Sequence, residues 1–305
     1  MRKSILFTLL ILSFTPLVCA QQVADENFNA KVDHPAYAKK GPAVLFDEAH
    51  NNFHTATGRY KPFADLITND GYRITSNKEP FTQKLLQDYR LLVISNALGA
   101  VRMADAAAAN PAFTEAECDA VRDWVKAGGS LLLIADHAPM GSANQILGKR
   151  FGIDMSKMFT IDEPNSDKES NNAGFIIYTR ESGRLVDHPV TRGRNEHERV
   201  NKIIAFTGQS LTGPAGSVAF MKLADTAQDT MGGQNPTFVS AAGRAQGIAM
   251  KYGKGRAIFL AEAAMLSAQV IGPQRMPFGM NRPGLDNRQL ALNLMHWLSG
   301  LLKEK

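Results

Sequence analysis

The chain has 305 residues, 44% of them hydrophobic, with 34 Lys and Arg against 29 Asp and Glu. Its formal charge of +5 gathers into no Lys/Arg stripe, so a nucleic-acid-binding surface is not expected. The length suffices for a large core, as one big domain or two small ones.

In chain order, Arg2 and Lys3 precede a short apolar run, Ile5 to Val18, and Val18-Cys19-Ala20 places small residues around a cleavage point. This pattern predicts a secretory signal peptide over residues 1–20, a mature start at Gln21, and a periplasmic or secreted protein. The alternative is a lipoprotein modified at Cys19, disfavoured by the bulk of Val18. Cleavage would leave 32 cations against 29 acids, a net charge of about +3. It would leave Cys118 as the one cysteine, so no intramolecular disulfide is expected. No later apolar run approaches a membrane-spanning length.

Residues 21–40 are polar and aperiodic, an expected extended arm; residues 41–305 are read as one α/β domain. Ala43–Asp47 reads as a strand, Tyr60–Asn69 as a helix ending at Asp70-Gly71, Tyr72–Thr75 as a strand and Phe81–Gln87 as a short helix. Leu91–Ser95 ("LLVIS") reads as a buried strand. Thr114 followed by Glu117 is a capping box, with Phe113 and Cys118 placed as a hydrophobic staple, and Gly128-Gly129 stops the helix. Ser130–Ala135 is a near-continuous apolar strand, as expected where both faces are covered. Phe175–Thr179, Val218–Leu223, Gly247–Tyr252 and Arg256–Ala261 read as further strands. A closing helix from Asp286 carries Leu290, Leu294, Trp297, Leu298 and Leu301 on one face. Asp154–Gly174 and Gly272–Gly284 read as long loops, of the kind that serve as lids.

This alternation predicts an open, mostly parallel α/β sheet with helices on both faces. Ligands of such sheets bind beyond the carboxyl ends of the strands. Asp47, Glu48, His50, Asn96, Asp136, His137 and Glu262 all follow apolar strands and would meet on one rim.

"FTEAECDAVRDWVKAGGSLLLIADHA" resembles the helix–Gly-Gly–strand unit of class I glutamine amidotransferase-like domains, nearest their trehalose-utilisation-type and uncharacterised branches. "DHPVTRG", "GKGRAIFLAEAAM" and "DNRQLALNLMHWL" look like later landmarks of such domains. The resemblance spans roughly Ala43 to Leu302 and implies a flavodoxin-like sheet. It also marks a departure. The nucleophilic Cys of true amidotransferases is absent from the turn after Ser130–Ala135, which carries Asp136-His137 instead. Cys118 sits inside a helix, so thiol-based glutamine hydrolysis is not expected.

The acids and imidazoles of the rim suit general acid–base work, with His137, Asp136, Asp47 and Glu262 as catalytic candidates. Glu48, His50, Asn96, Asn281 and Arg282 are ligand-binding candidates. A divalent metal would draw on His50, His54 and Asp47, though "NNFHTATG" reads as loop rather than helix. The structural alternative is that the acids bond loop amides or cap helices. Ser142 could be a nucleophile beside His137, but Ser142 with Gln145 also reads as a capping box. His188 and Arg192 are read as turn-forming and His296 as packing. The expected function is binding, with hydrolysis, of a small polar ligand such as a carbohydrate. The competing expectation is a non-catalytic ligand- or protein-binding module.

Overall fold

The computed structural model describes residues 22–38, 40–232 and 235–303; the leader read over residues 1–20 lies outside them. The strands that build the site are β1 (Ala43–Asp47), β2 (Arg73–Asn77), β3 (Leu91–Ser95), β4 (Ser130–Ile134), β5 (Ala245–Tyr252) and β6 (Gly255–Leu260). The longer helices are α1 (Lys61–Asn69), α2 (Glu115–Ala127), α3 (Met140–Lys149) and α4 (Asn287–Ser299). Among the described residues no helix is long and apolar enough to cross a membrane.

One mixed sheet of nine strands organises the α/β fold. Five strands are parallel, in the order β2-β1-β3-β4-β6. Beyond β6 the sheet turns antiparallel through β5, which also pairs with Val218–Lys222 and Leu211–Thr212. The expected parallel strands form this five-stranded part, and the sheet as a whole is mixed. Only Gly253 and Lys254 separate β5 from β6, with Gly253 at φ +58°, and so short a link permits a hairpin but not a parallel crossover.

Period-two alternation divides the strand residues between two cores. Val44, Phe46, Leu91, Val93, Leu132, Ile134, Ile258 and Leu260 pack with Phe63, Leu66 and Ile67 of α1 and Leu290, Leu294 and Trp297 of α4. Leu45, Leu92, Ile94, Leu131, Leu133, Ala257 and Phe259 pack with Cys118, Val121 and Val125 of α2 and Leu147 of α3. The α2 capping box forms as expected: Glu117 N–H donates to Thr114 Oγ1 at 3.3 Å, and Thr114 N–H to Glu117 Oε2 at 2.9 Å.

Three expectations change. Phe175–Thr179 is a strand, but it pairs with the unanticipated Lys202–Phe206 in a separate antiparallel sheet. The presumed loop Gly272–Gly284 contains Met276–Gly279, which forms a hairpin with Ala268–Ile271; that hairpin takes Gln22–Ala24 of the arm as its third strand. The presumed loop Asp154–Gly174 holds the strands Asp154–Met155 and Phe159–Ile161.

Candidate functional site

Register explains which rim residues meet. Leu260 pairs with Ile134 across β6 and β4, so Glu262 and Asp136, each two residues on, occupy equivalent places on neighbouring strands. Asp47 lies one step beyond the Phe46–Val93 pair, level with Ile94 and Leu133. That parity directs Asp47 toward the α2–α3 face and Asp136 and Glu262 toward the α1–α4 face. The single rim expected from strand ends is therefore two separate polar networks.

The first network is architectural. Asp47 is buried and accepts from His50 Nδ1 at 2.9 Å, from Asn77 Nδ2 at 3.2 Å and from Asn52 Nδ2 at 3.0 Å. His50 Nε2 contacts Glu117 Oε1 at 2.9 Å. Glu117 also accepts the Phe81 and Thr114 amides. Burial opposes protonation of His50, but Asp47 and Glu117 together outweigh it and raise its pKa. The amide bonds and His50 likewise overcome burial at Glu117 and lower its pKa. The loop after β1 is thus clamped to the start of α2.

The structure places the catalytic candidate Asp47 and the ligand or metal candidate His50 in this network, with their polar atoms facing protein partners. His50 and Asp47 are not joined by His54 into a metal site. Both His50 nitrogens face carboxylates, and no cluster of three or more His, Cys, Asp or Glu able to hold a metal occurs among the described residues.

Other candidates also have protein partners. Glu48 accepts the Ala56 amide and pairs with Lys78 at 2.7 Å. Asn281 bonds Asp25, the Gln269 carbonyl and the Phe278 amide, and Arg282 pairs with Asp167 at 2.6 Å; both tether loops. Ser142 lies inside α3, which begins earlier at Met140, while Gln145 binds Ile153 O and Met155 N; the expected capping box does not form. His296 is fully buried against Asp70 at 2.7 Å, and His188 caps a helical turn.

The second network borders a cavity of about 410 Å³ lined by His54, Asp136, His137 and Glu262. Its walls include Phe53, Phe175, Phe206, Phe278, Met103 and Met140. The hairpin and the two-stranded sheet missing from the sequence reading supply much of this wall. Asp136 accepts from Asn96 Nδ2 and from the Ala263 amide, each at 2.7 Å. Glu262 accepts the Ala264 amide at 2.6 Å and the Met265 amide at 2.8 Å, at the start of the single turn Ala264–Leu266. Burial and then the charge of Asp136 push the Glu262 carboxyl well above the usual carboxylate range. Burial also raises Asp136, against the bond from Asn96 and the nearby His137. Two such carboxyls hold a proton between them more readily than either would alone.

His54 is buried and pushed down to about 3 by burial and then by Arg59, so it is neutral at ordinary pH. His137 lies against the Phe159 ring at 3.9 Å between centroids. Asn96 adopts φ +49°, and its side chain links β3 to Asp136 from outside the cavity lining. Thr207, on the cavity wall, has φ +63°, a costly conformation for a β-branched residue. Gly208 beside it is required by contact, since a Cβ there would meet Ala261 O at 2.5 Å and Glu262 Cβ at 2.7 Å. Sequence reasoning missed this wall. The apolar run Lys202–Phe206 ending in Thr-Gly carried the same strand-end signal as the others.

No family model matches the chain, and no curated protein matches it. Among solved structures it is similar to the mmIFT52 N-terminal domain, with a TM-score of 0.60 at 14% identity over 84% of this chain and 97% of that one. A cytoplasmic protein of Salmonella typhimurium matches at TM-score 0.48 and 12% identity, over 85% of this chain and 99% of that one. A ThuA-like protein from Bacteroides uniformis matches at 0.41 and 13%, over 90% and 95%. At these identities the first of them establishes a shared α/β fold and nothing about activity.

Proposed function

We propose that this chain is an exported, flavodoxin-like domain of the amidotransferase-like, trehalose-utilisation type that works without thiol chemistry. It binds a small polar ligand, such as a carbohydrate, in the Asp136–Glu262 cavity and hydrolyses it. The observation that carries this reading is the meeting of two buried carboxyls of raised pKa and two histidines in one aromatic-walled cavity at the ends of β4 and β6. A carboxyl that keeps its proton near neutrality can supply it to a leaving oxygen, while His137 draws a proton from water. Cys118 is buried and its thiol is pushed up to about 12, which supports a mechanism without a thiolate. Residues 1–20, read as a signal peptide, support export.

A second reading has its own support. Both acids already accept backbone amides, as they would in a non-catalytic binding module. The test is turnover of a panel of nitrophenyl glycosides and esters by the mature chain and by Asp136→Asn and His137→Ala, with sugar-induced thermal shifts in parallel. Turnover reduced about 10²–10⁴-fold in folded variants is the expected result. A sugar-dependent shift without turnover selects the binding module. The absence of both signals overturns the assignment of this cavity.

A further inference from the structure

The cavity wall includes a residue with one buried polar atom that no other group satisfies. Gln269 is 1% exposed and lies in the strand Ala268–Ile271, paired with Phe278 on one side and Ala24 on the other. Directly paired residues, and residues two apart, share a face of a sheet. Gln269 therefore stands on the same face as Phe278, Ile271 and Gln22, which line the cavity with it. Its amide orientation follows from its neighbours. Ser267 Oγ gives its one hydrogen to the Ala264 carbonyl at 2.8 Å, a group that can only accept. Ser267 Oγ must then accept from Gln269 at 2.7 Å, which identifies the facing atom as the amide nitrogen. The Gln269 Oε1 atom is left without a partner. Of the six buried side-chain atoms in that condition among the described residues, it alone belongs to a cavity-lining residue. A buried acceptor without a donor is costly, so a structure that keeps one beside a cavity points to a donor that arrives with the ligand.

The same wall carries Asp136 and Glu262 and no lysine or arginine. Arg59 stacks on Phe53 at 4.1 Å but lies outside the lining. His54 is neutral, so among the lining side chains His137 is the one base that can offset the charge of the two acids. We propose that this cavity takes an organic cation with a primary ammonium head, recognised by Gln269 Oε1 and countered by Asp136 and Glu262. Such a head brings three N–H donors and one positive charge, whereas a hydroxyl brings one donor and no charge and a carboxylate would face the acids. The bound ammonium stands in for the proton that the two acids otherwise hold between them. Phe175, Phe206 and Phe278, with ring centroids within 5.6 Å of one another, give the carbon skeleton an apolar flank, and aromatic rings attract a cation within about 6 Å. The inference rests on the cavity assigned above and deepens that reading: it names the charge of the ligand and the residue that recognises it.

The test is calorimetric titration of the mature chain with n-butylammonium, n-butyltrimethylammonium, n-butanol, butyrate and D-glucose at about pH 8, where a primary alkylamine keeps its proton. Butylammonium should bind about tenfold or more tightly than butyltrimethylammonium, which has the charge but no N–H, and the alcohol and the carboxylate should bind more weakly still. Gln269→Leu should lose about tenfold in butylammonium affinity and leave butyltrimethylammonium unchanged, with its thermal midpoint followed alongside. The head-group series is read on wild type, so it stands whether or not the variant folds. Equal affinities for the two cations, or an unchanged butylammonium affinity in folded Gln269→Leu, overturn recognition by Gln269. A preference for butanol or butyrate overturns the cation. Binding of glucose alone overturns this inference and leaves the carbohydrate reading above standing. No binding of any of the five overturns both.

Discussion

Glu117→Ala tests whether Asp47 and His50 belong to the architecture rather than to the site. Glu117 accepts four hydrogen bonds: from Phe81 N at 3.1 Å, Thr114 N at 2.9 Å, Thr114 Oγ1 at 2.8 Å and His50 Nε2 at 2.9 Å. Losing the capping box costs about 1 kcal/mol. Leaving the Phe81 amide without its partner costs about 1–3 kcal/mol. His50 also loses one of its two carboxylates, so the total should be about 3–5 kcal/mol, the range for breaking a buried ionic network. Against a total stability of about 5–15 kcal/mol, that is a large effect.

The assay is urea unfolding followed by the fluorescence of Trp124 and Trp297, with Glu117→Gln as an isosteric control expected to lose about 1–2 kcal/mol. The pH dependence has a definite sign. His50 has a raised folded pKa, so its contribution is full below its unfolded value of about 6.5 and fades as pH rises through the folded value. Glu117 has a lowered one, so its contribution is present above about 4.5 and fades as pH falls through the folded value. The difference between wild type and Glu117→Ala should therefore be largest near pH 5–6, between those limits. A loss below about 1 kcal/mol at that pH would refute the reasoning and return Asp47 and His50 to the list of site residues.

Two further outcomes are expected. Glu262 has a raised folded pKa, so the stability it contributes is complete below about pH 4.5 and falls as pH rises through the folded value; Glu262→Gln should remove that slope from thermal unfolding measured between pH 4 and 9, whatever it does to the absolute midpoint. Cys118, buried with a thiol pushed up to about 12, should resist maleimide at pH 8 in the native mature chain and react fully once unfolded.

The strand-end logic was legible from local pattern alone. β3 runs over Leu91–Ser95 and β4 over Ser130–Ile134, and the Thr114–Glu117 box begins α2, because burial on both faces and capping chemistry are written in consecutive residues. Asp136, His137 and Glu262 were identifiable for the same reason. The hairpin Ala268–Gly279 was not, since Gly272, Pro273 and Pro277 mimic an irregular loop, and the strand that extends it, Gln22–Ala24, lies far away in the chain.

Which candidates share a site was decided only by register. Asp47 and Asp136 both end apolar strands and look alike in sequence, yet strand pairing gives them opposite parity. One faces α2 and becomes a clamp with His50 and Glu117; the other meets Glu262 across β4 and β6 and lines the cavity. A strand's own residues specify its alternation but not its offset against a neighbour. That offset follows from the packing of both cores at once, so local pattern announced the parallel strands and their terminal acids, while strand pairing set which of those acids lie together.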